Sequence, residues 1–429
     1  MKRWLRRVVV AVVLTLVVRT VWLVGEREWV RAEGEGEYAA AAATTDIADP
    51  GWRWDELTAK RPRPPEGRNG MDVVLRARDA LPAAAGPAHV PGPFDPAEPP
   101  EPSSARLPAA VVAAARERVT AAREAVALAR TLKDYTQGYY PLVLDPNPWE
   151  TKLPHIDAVR RVAVFLRWDG ILAADAGDAG IALDAADALL NPFLISQLVR
   201  ISIRVNAWRN LERVLAQTEP DPARLARVQA AWAAEADEPL LLYGLRGERA
   251  INDVTFQNLL DGTRLWRDRT ALHTYLTAAV AAARRPVHEQ RAAIAALMPP
   301  RPEEFKLAAL FCPAVEKCTV ACWRSTAQAR CVAVALACER YRRAHGRWPD
   351  ALADLAPVFL PAVPFDPFDN QPLRYRRLPD GAVVYSIGPN RLDDDGDTAR
   401  PADGTPAPDD GFRLWNPDAG GRPAPDDEP

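Results

Sequence analysis

The stretch that decides the reading of this chain is DPFDNQPLRYRRLPDGAVVYSIGPNRLDDDGD, Asp366 to Asp397. PLRYRR and AVVYSI alternate apolar and polar residues, the period of a half-buried strand. Leu373 and Tyr375 share one face of the first; Val383, Tyr385 and Ile387 share one face of the second. Between them Asp380–Gly381 is a strong turn pair, so the spacing predicts an antiparallel hairpin. Upstream, a long helical pattern follows Pro313 and closes at YRRAHGRWP, with Gly346 as C-terminal cap and Pro349 beyond it. A short helix, DALADLAPVFL, comes next. Downstream lies an acidic loop, and FRLW (residues 412–415) offers a further strand.

The opposite end of the chain carries a different signal. Lys2, Arg3, Arg6 and Arg7 precede an apolar run from Val8 to Val24 that only Arg19 interrupts. The run is at the short edge of what spans a bilayer as a helix. Arg19 would cost about 2.5–3.5 kcal/mol at the helix centre, but it lies near the far end, where its stem can snorkel to the headgroups. The basic cluster places the N-terminus inside. Ala39–Ala43 come too late for a small-residue cleavage site. The expectation is an uncleaved signal anchor over residues 1–25, holding the protein in the inner membrane through residues 8–24 as a single-pass chain. The bulk would then be periplasmic. A cleaved signal peptide and a soluble protein are the other two readings.

Between these ends the chain divides by composition. Residues 26–108 read as a charged, alanine-rich stem, short helices and a Pro-rich linker. Asn69 caps a helix from Gly70 that Pro82 ends. Residues 109–312 are helical almost throughout, with Asp221–Pro222 as an N-cap and first helical position. No fixed period appears, so an irregular all-α domain is expected rather than a solenoid. Residues 313–415 form the α+β module, and 416–429 a disordered acidic, Pro-rich tail. The fold class is therefore mainly α with a small C-terminal α+β unit. A net charge of −3 offers no basic face for nucleic acid.

The helix-and-hairpin segment resembles the globular end of type II secretion major pseudopilins. The residues that carry the resemblance are Tyr341, Gly346 and Pro349; then Pro364, Asp366, Pro367 and Phe368; then Tyr385, Ser386 and Gly388. DDDGD matches the family's acidic loop, and DDGFRLW its closing Asp-and-Trp element. The match covers about a fifth of the chain. The family's processing site is missing, and a long insertion separates the apolar run from the pilin-like helix, so processing and polymerisation in the usual way are not expected. The whole chain also looks like planctomycete membrane-anchored proteins, which implies no activity.

In pseudopilins the acidic loop binds calcium. Asp393, Asp394, Asp395 and Asp397 around Gly396 supply the hard oxygens that calcium requires. The expected ligands are Asn390, Asp393, Asp395 and Asp397. Asn390 stands where the family has an aspartate and brings no charge; a merely solvated acidic turn is the alternative. Elsewhere, Arg246, Glu248, Arg249 and Asp253 suggest a helix-surface ion-pair network or, less simply, a polar binding site. His288 lacks the second histidine of a zinc protease, and Asp184 and Asp187 read as solvated. Cys312, Cys318, Cys322, Cys331 and Cys338 leave three readings: small core residues, one disulfide using Cys312, or a metal site. With no catalytic constellation, the leading expectation is a non-catalytic envelope protein with an interaction or scaffolding role, partnered by envelope or secretion-system proteins. The alternatives are an envelope hydrolase with a carboxylate site in the helical domain, and an atypical minor pseudopilin.

Overall fold

The computed structural model describes residues 2–82, 103–135, 137–145, 150–178, 197–259, 265–312, 314–399 and 407–419. The side chains of 2–13, 15, 21, 27, 197–199 and 419 lie outside that description. The chain is mainly helical with one small antiparallel sheet. In order run α1 (Lys2–Ala48), α2 (Trp54–Ala59), α3 (Gly70–Asp79), α4 (Ala109–Ala121), α5 (Arg123–Arg130), α6 (Pro154–Asp175) and α7 (Gln197–Gln217). Then come α8 (Pro222–Ala236), α9 (Leu240–Leu259), α10 (Leu265–Ala283), α11 (Val287–Ala295), α12 (Lys306–Phe311) and α13 (Val315–His345). The strands are β1 (Arg374–Leu378), β2 (Gly381–Ser386) and β3 (Asp410–Trp415).

Two compact units interleave along the sequence. The first gathers described residues of Met1–Arg61, Leu144–Thr151 and Leu242–Glu316; the second those of Pro62–Val143, Lys152–Leu241 and Lys317–Pro429. This partition does not coincide with the expected domains 109–312 and 313–415. The physical reason lies in α13. Cys331 to Cys338 are eight consecutive residues, none more than 2% exposed. A helix apolar all round has to be covered all round. Val334 and Leu336 accordingly share one core with Val384 of β2 and Phe412 of β3, and also with Val162 and Leu166 of α6, Leu211 of α7 and Trp232 of α8.

The stem is likewise no separate segment. Ala42, Thr45, Asp49 and Trp52 are buried in the first unit, and Met71, Val73, Val74 and Ala77 in the core of the second. Gly34 of α1 lets α10 approach closely, since a Cβ there would stand 2.7 Å from that of Trp266. Among the described residues no helix is long and apolar enough to cross a membrane. Much of the run Val8–Val24 falls on side chains outside the description; of those described, Leu14, Leu16, Val17, Val18, Trp22 and Val24 are more than half exposed and Leu23 slightly less.

Local signals hold at the caps. Asn69 Oδ1 accepts from Met71 N (3.2 Å), and Asp221 Oδ1 from Ala223 N and Arg224 N (3.0 Å each). The helical stretch from Ala109 to Arg130 breaks at Ala122 into α4 and α5, and α5 turns Ala125, Val126 and Ala129 inward.

The sheet has order β1-β2-β3, with Leu378 paired to Gly381, so Pro379 and Asp380 form the loop. Gly381 thus begins β2 rather than sitting in the turn. What it permits is close approach, because a Cβ there would meet Leu414 O at 2.0 Å. FRLW lies within β3, as expected. All of β2 is buried: Ala382 and Val384 face the common core, and Val383 and Tyr385 lie beneath Gly396 of the acidic loop.

Candidate functional site

Asp366 organises the module. It is 1% exposed, and its carboxylate accepts from Phe368 N (2.9 Å), Ser386 Oγ (2.8 Å) and Ile387 N (3.0 Å). The Pro-x-Asp-Pro-aromatic turn is thereby fastened to the Tyr-Ser-x-Gly strand end, two motifs about twenty residues apart in sequence. Burial raises its carboxyl above the usual range despite the donors.

Arg374 on β1 fans out from the same point, donating to Asp366 Oδ2 (3.4 Å), Asp369 Oδ2 (2.7 Å) and Asp393 Oδ2 (3.1 Å). The loop is folded on its own carboxylates. Asp393 Oδ1 accepts from Tyr385 Oη and from Asp395 N, both at 3.1 Å. Asn390 Nδ2 donates to Asp394 Oδ2 (2.8 Å), and Asp397 Oδ1 accepts from Ala399 N (3.0 Å). Asp395 points outward with its side chain 85% exposed and Arg376 3.8 Å away. The four residues expected to bind calcium are thus neighbours on one loop, and their side chains engage separate partners. Among the described residues no group of three or more His, Cys, Asp or Glu side chains is placed to hold a metal ion.

One participant was not singled out from the sequence. Asp409, just before β3, has no exposed surface. Its Oδ2 accepts from Gly396 N (2.8 Å), while its Oδ1 has no partner among the described residues. Burial, with the charges of Asp394 and Asp393 added, pushes its carboxyl up to about 6. The closing DDGFRLW element pointed at the Asp409–Asp410 pair, but the two do different work: Asp410 holds Arg324 of α13 through Nε and Nη2 (2.8 and 2.6 Å).

The other expected cluster proves to be buried rather than superficial. Asp49, at the end of α1, accepts from Arg249, from Arg246 Nε (3.1 Å) and from Arg284 Nη2 (2.5 Å). Burial alone would raise its carboxyl, but the Arg249 hydrogen bond and the three guanidinium charges hold it below the usual range. Asp253 accepts from Tyr38 Oη of α1 and from Arg269 Nε (3.0 Å). Arg249 and Asp253 therefore pair with α1 and α10, not with each other; Glu248 stays exposed. Tyr38, Thr45 and Asp49 recur at helical spacing, the signal that could have been read in an otherwise Glu- and Ala-rich stem.

None of the five cysteines is in a disulfide: Cys322, Cys331 and Cys338 are buried, Cys312 and Cys318 partly so, and the disulfide reading does not hold. Burial, then the neighbouring Cys318, pushes the Cys322 thiol up to about 12, which keeps it unreactive. His288 is half exposed, 3.8 Å from Glu289. Asp184 and Asp187 lie outside the described residues. Comparison with known proteins found no matching family model, curated protein or solved structure.

Proposed function

We propose that this chain is a non-catalytic, membrane-anchored envelope protein whose exported body serves interaction or scaffolding, beside a type II secretion-like system. The observation that carries the reading is α1. It is one helix of 47 residues, about 70 Å long at 1.5 Å per residue. Its first half exposes an apolar surface from Leu14 to Val24, and its second half is built into the first unit. Contiguous exposed apolar surface on this scale marks a membrane or partner contact. A pseudopilin-like head, with its motif residues joined through Asp366, supports the secretion-system association.

A C-terminal reporter active only in the periplasm should work, and a cytoplasm-only reporter should fail. The reverse result removes the anchored, exported reading. Turnover of peptidoglycan or peptide substrates by purified protein would remove the non-catalytic one.

Calcium at the acidic loop belongs to the same proposal. The support is the orphaned, buried Asp409 Oδ1 among negative neighbours. Binding would have to draw Asp393, Asp394 and Asp409 together, since among the described residues no three such side chains are already placed to hold a metal ion. A bound cation would neutralise charges that Arg374 now balances alone at Asp393, and would rigidify the loop. Calcium should raise the melting temperature of the full chain relative to chelator, and Asp409→Asn should abolish that difference. An unchanged melt leaves a solvated acidic turn.

A further inference from the structure

Between α9 and α10, beside the residues that hold α1, lies a cavity of about 10 Å³, as traced by the centre of a water molecule. That is about the lower limit for one water. His273, Arg249, Asn252, Asp253 and Arg269 contribute its polar walls, and Phe256, Leu272 and Leu276 the rest.

The hydrogen bonds around it fix what can sit inside. Thr45 donates its only hydroxyl proton to Ala41 O at 3.0 Å, one turn back along α1. Its contact with His273 Nε2 at 2.9 Å is therefore one in which the oxygen accepts. With the Thr45 proton on Ala41 O, the ring proton is assigned to Nε2, which leaves Nδ1 as a bare acceptor. Nδ1 has no partner among the described residues, on a ring that is 4% exposed. Arg249 Nε, on a side chain that is 1% exposed, is likewise without one, although its N–H must donate. Burial holds His273 neutral, down at about 4, so Nδ1 stays bare at neutral pH.

We infer that this cavity is a built site for one structural water, which donates to His273 Nδ1 and accepts from Arg249 Nε–H. A halide has no proton for Nδ1. A metal cation would meet Arg249 and Arg269 without a lone pair for either. Any larger ligand exceeds the space. Asn252 and Asp253, which line the same cavity, carry acceptor oxygens for the second proton. The water closes a directional chain, in which Arg249 donates to it and also to Asp49, it donates to His273, His273 to Thr45, and Thr45 to Ala41. One end of that chain is Ala41 of α1 and the other Asp49, the residue that follows α1, so the water belongs to the fastening of that helix.

The test is nuclear magnetic resonance on the full chain labelled with ¹⁵N, reading the histidine ring nitrogens and the Arg249 Nε proton. His273 should show a pyrrole-like Nε2 and a pyridine-like Nδ1 at neutral pH, and the Arg249 Hε should give a cross-peak to a long-lived water. His273→Phe, which removes the acceptor, should lose that cross-peak. A protonated Nδ1, or no water cross-peak at Arg249 in the unmodified chain, overturns the inference, as does a cross-peak that survives in His273→Phe. The unmodified chain decides the matter even where the variant does not fold.

Discussion

Two helices of this protein are buried by opposite means. α1 enters the first unit on Tyr38, Thr45 and Asp49, each of which ends on a hydrogen bond or charge from α9 or α10. α13 runs through the second unit on Cys331 to Cys338, which belong to its apolar core and make one weak polar contact, Cys331 Sγ to Asp410 O at 3.7 Å. The apolar helix gains stability from every atom it hides from water. The polar one gains little net from its ion pairs, since desolvating the charges offsets most of their attraction. What the polar seam provides is register: slid by one turn, α1 would leave Arg249 buried without the Asp49 carboxylate and take the Tyr38 hydroxyl away from Asp253. Stability and specificity are thus assigned to different units.

The largest effect that tests this contrast is Asp49→Ala, which leaves Arg249 buried without its hydrogen-bonded carboxylate. Denaturant unfolding should show a loss of about 3–5 kcal/mol. The double change Asp49→Leu with Arg249→Met should recover most of it; if it does not, the seam supplies stability and the contrast fails. In the apolar unit Leu336→Ala should cost about 3 kcal/mol by the same measurement, with no rescuing partner, because it leaves a cavity. Asp366→Ala strands two backbone N–H groups and a serine hydroxyl, for about 1–3 kcal/mol. The loss should come with increased hydrogen exchange at Phe368 and Ile387.

The smallest effect has the opposite sign. Asp409 binds its proton more tightly folded than unfolded, so its ionisation weighs against the fold as pH rises through about 6 and does not below the ordinary carboxylate range. Asp409→Asn should therefore stabilise the calcium-free chain at pH 7–8 by on the order of 1–2 kcal/mol. The advantage should vanish near pH 4, a profile that melts at both pH values would read.

Legibility followed the kind of interaction. The hairpin, β3 and the caps at Asn69 and Asp221 rest on contacts within a few residues, and alternation, turn chemistry and N-cap residues reveal them. The buried stem was missed because its inward face is Tyr38, Thr45 and Asp49, which read as solvated when their partners lie some 200 residues away. The loop was found as an acidic cluster, but its inner carboxylate was not, since Asp409 reaches Gly396 only after the chain has turned back to form β3.

The sequence by itself determined the class of the chain: mainly helical, apolar at one end, with a small antiparallel sheet at the other. Those features depend on period and composition, which each segment carries alone. Only the tertiary structure decided the grouping of segments into units, the burial of Asp49 and Arg249, and the orphaned oxygen of Asp409. A charged residue is costly to bury in isolation, so its sequence neighbours cannot announce its burial. Its partners decide it, and the fold alone brings them within hydrogen-bond distance.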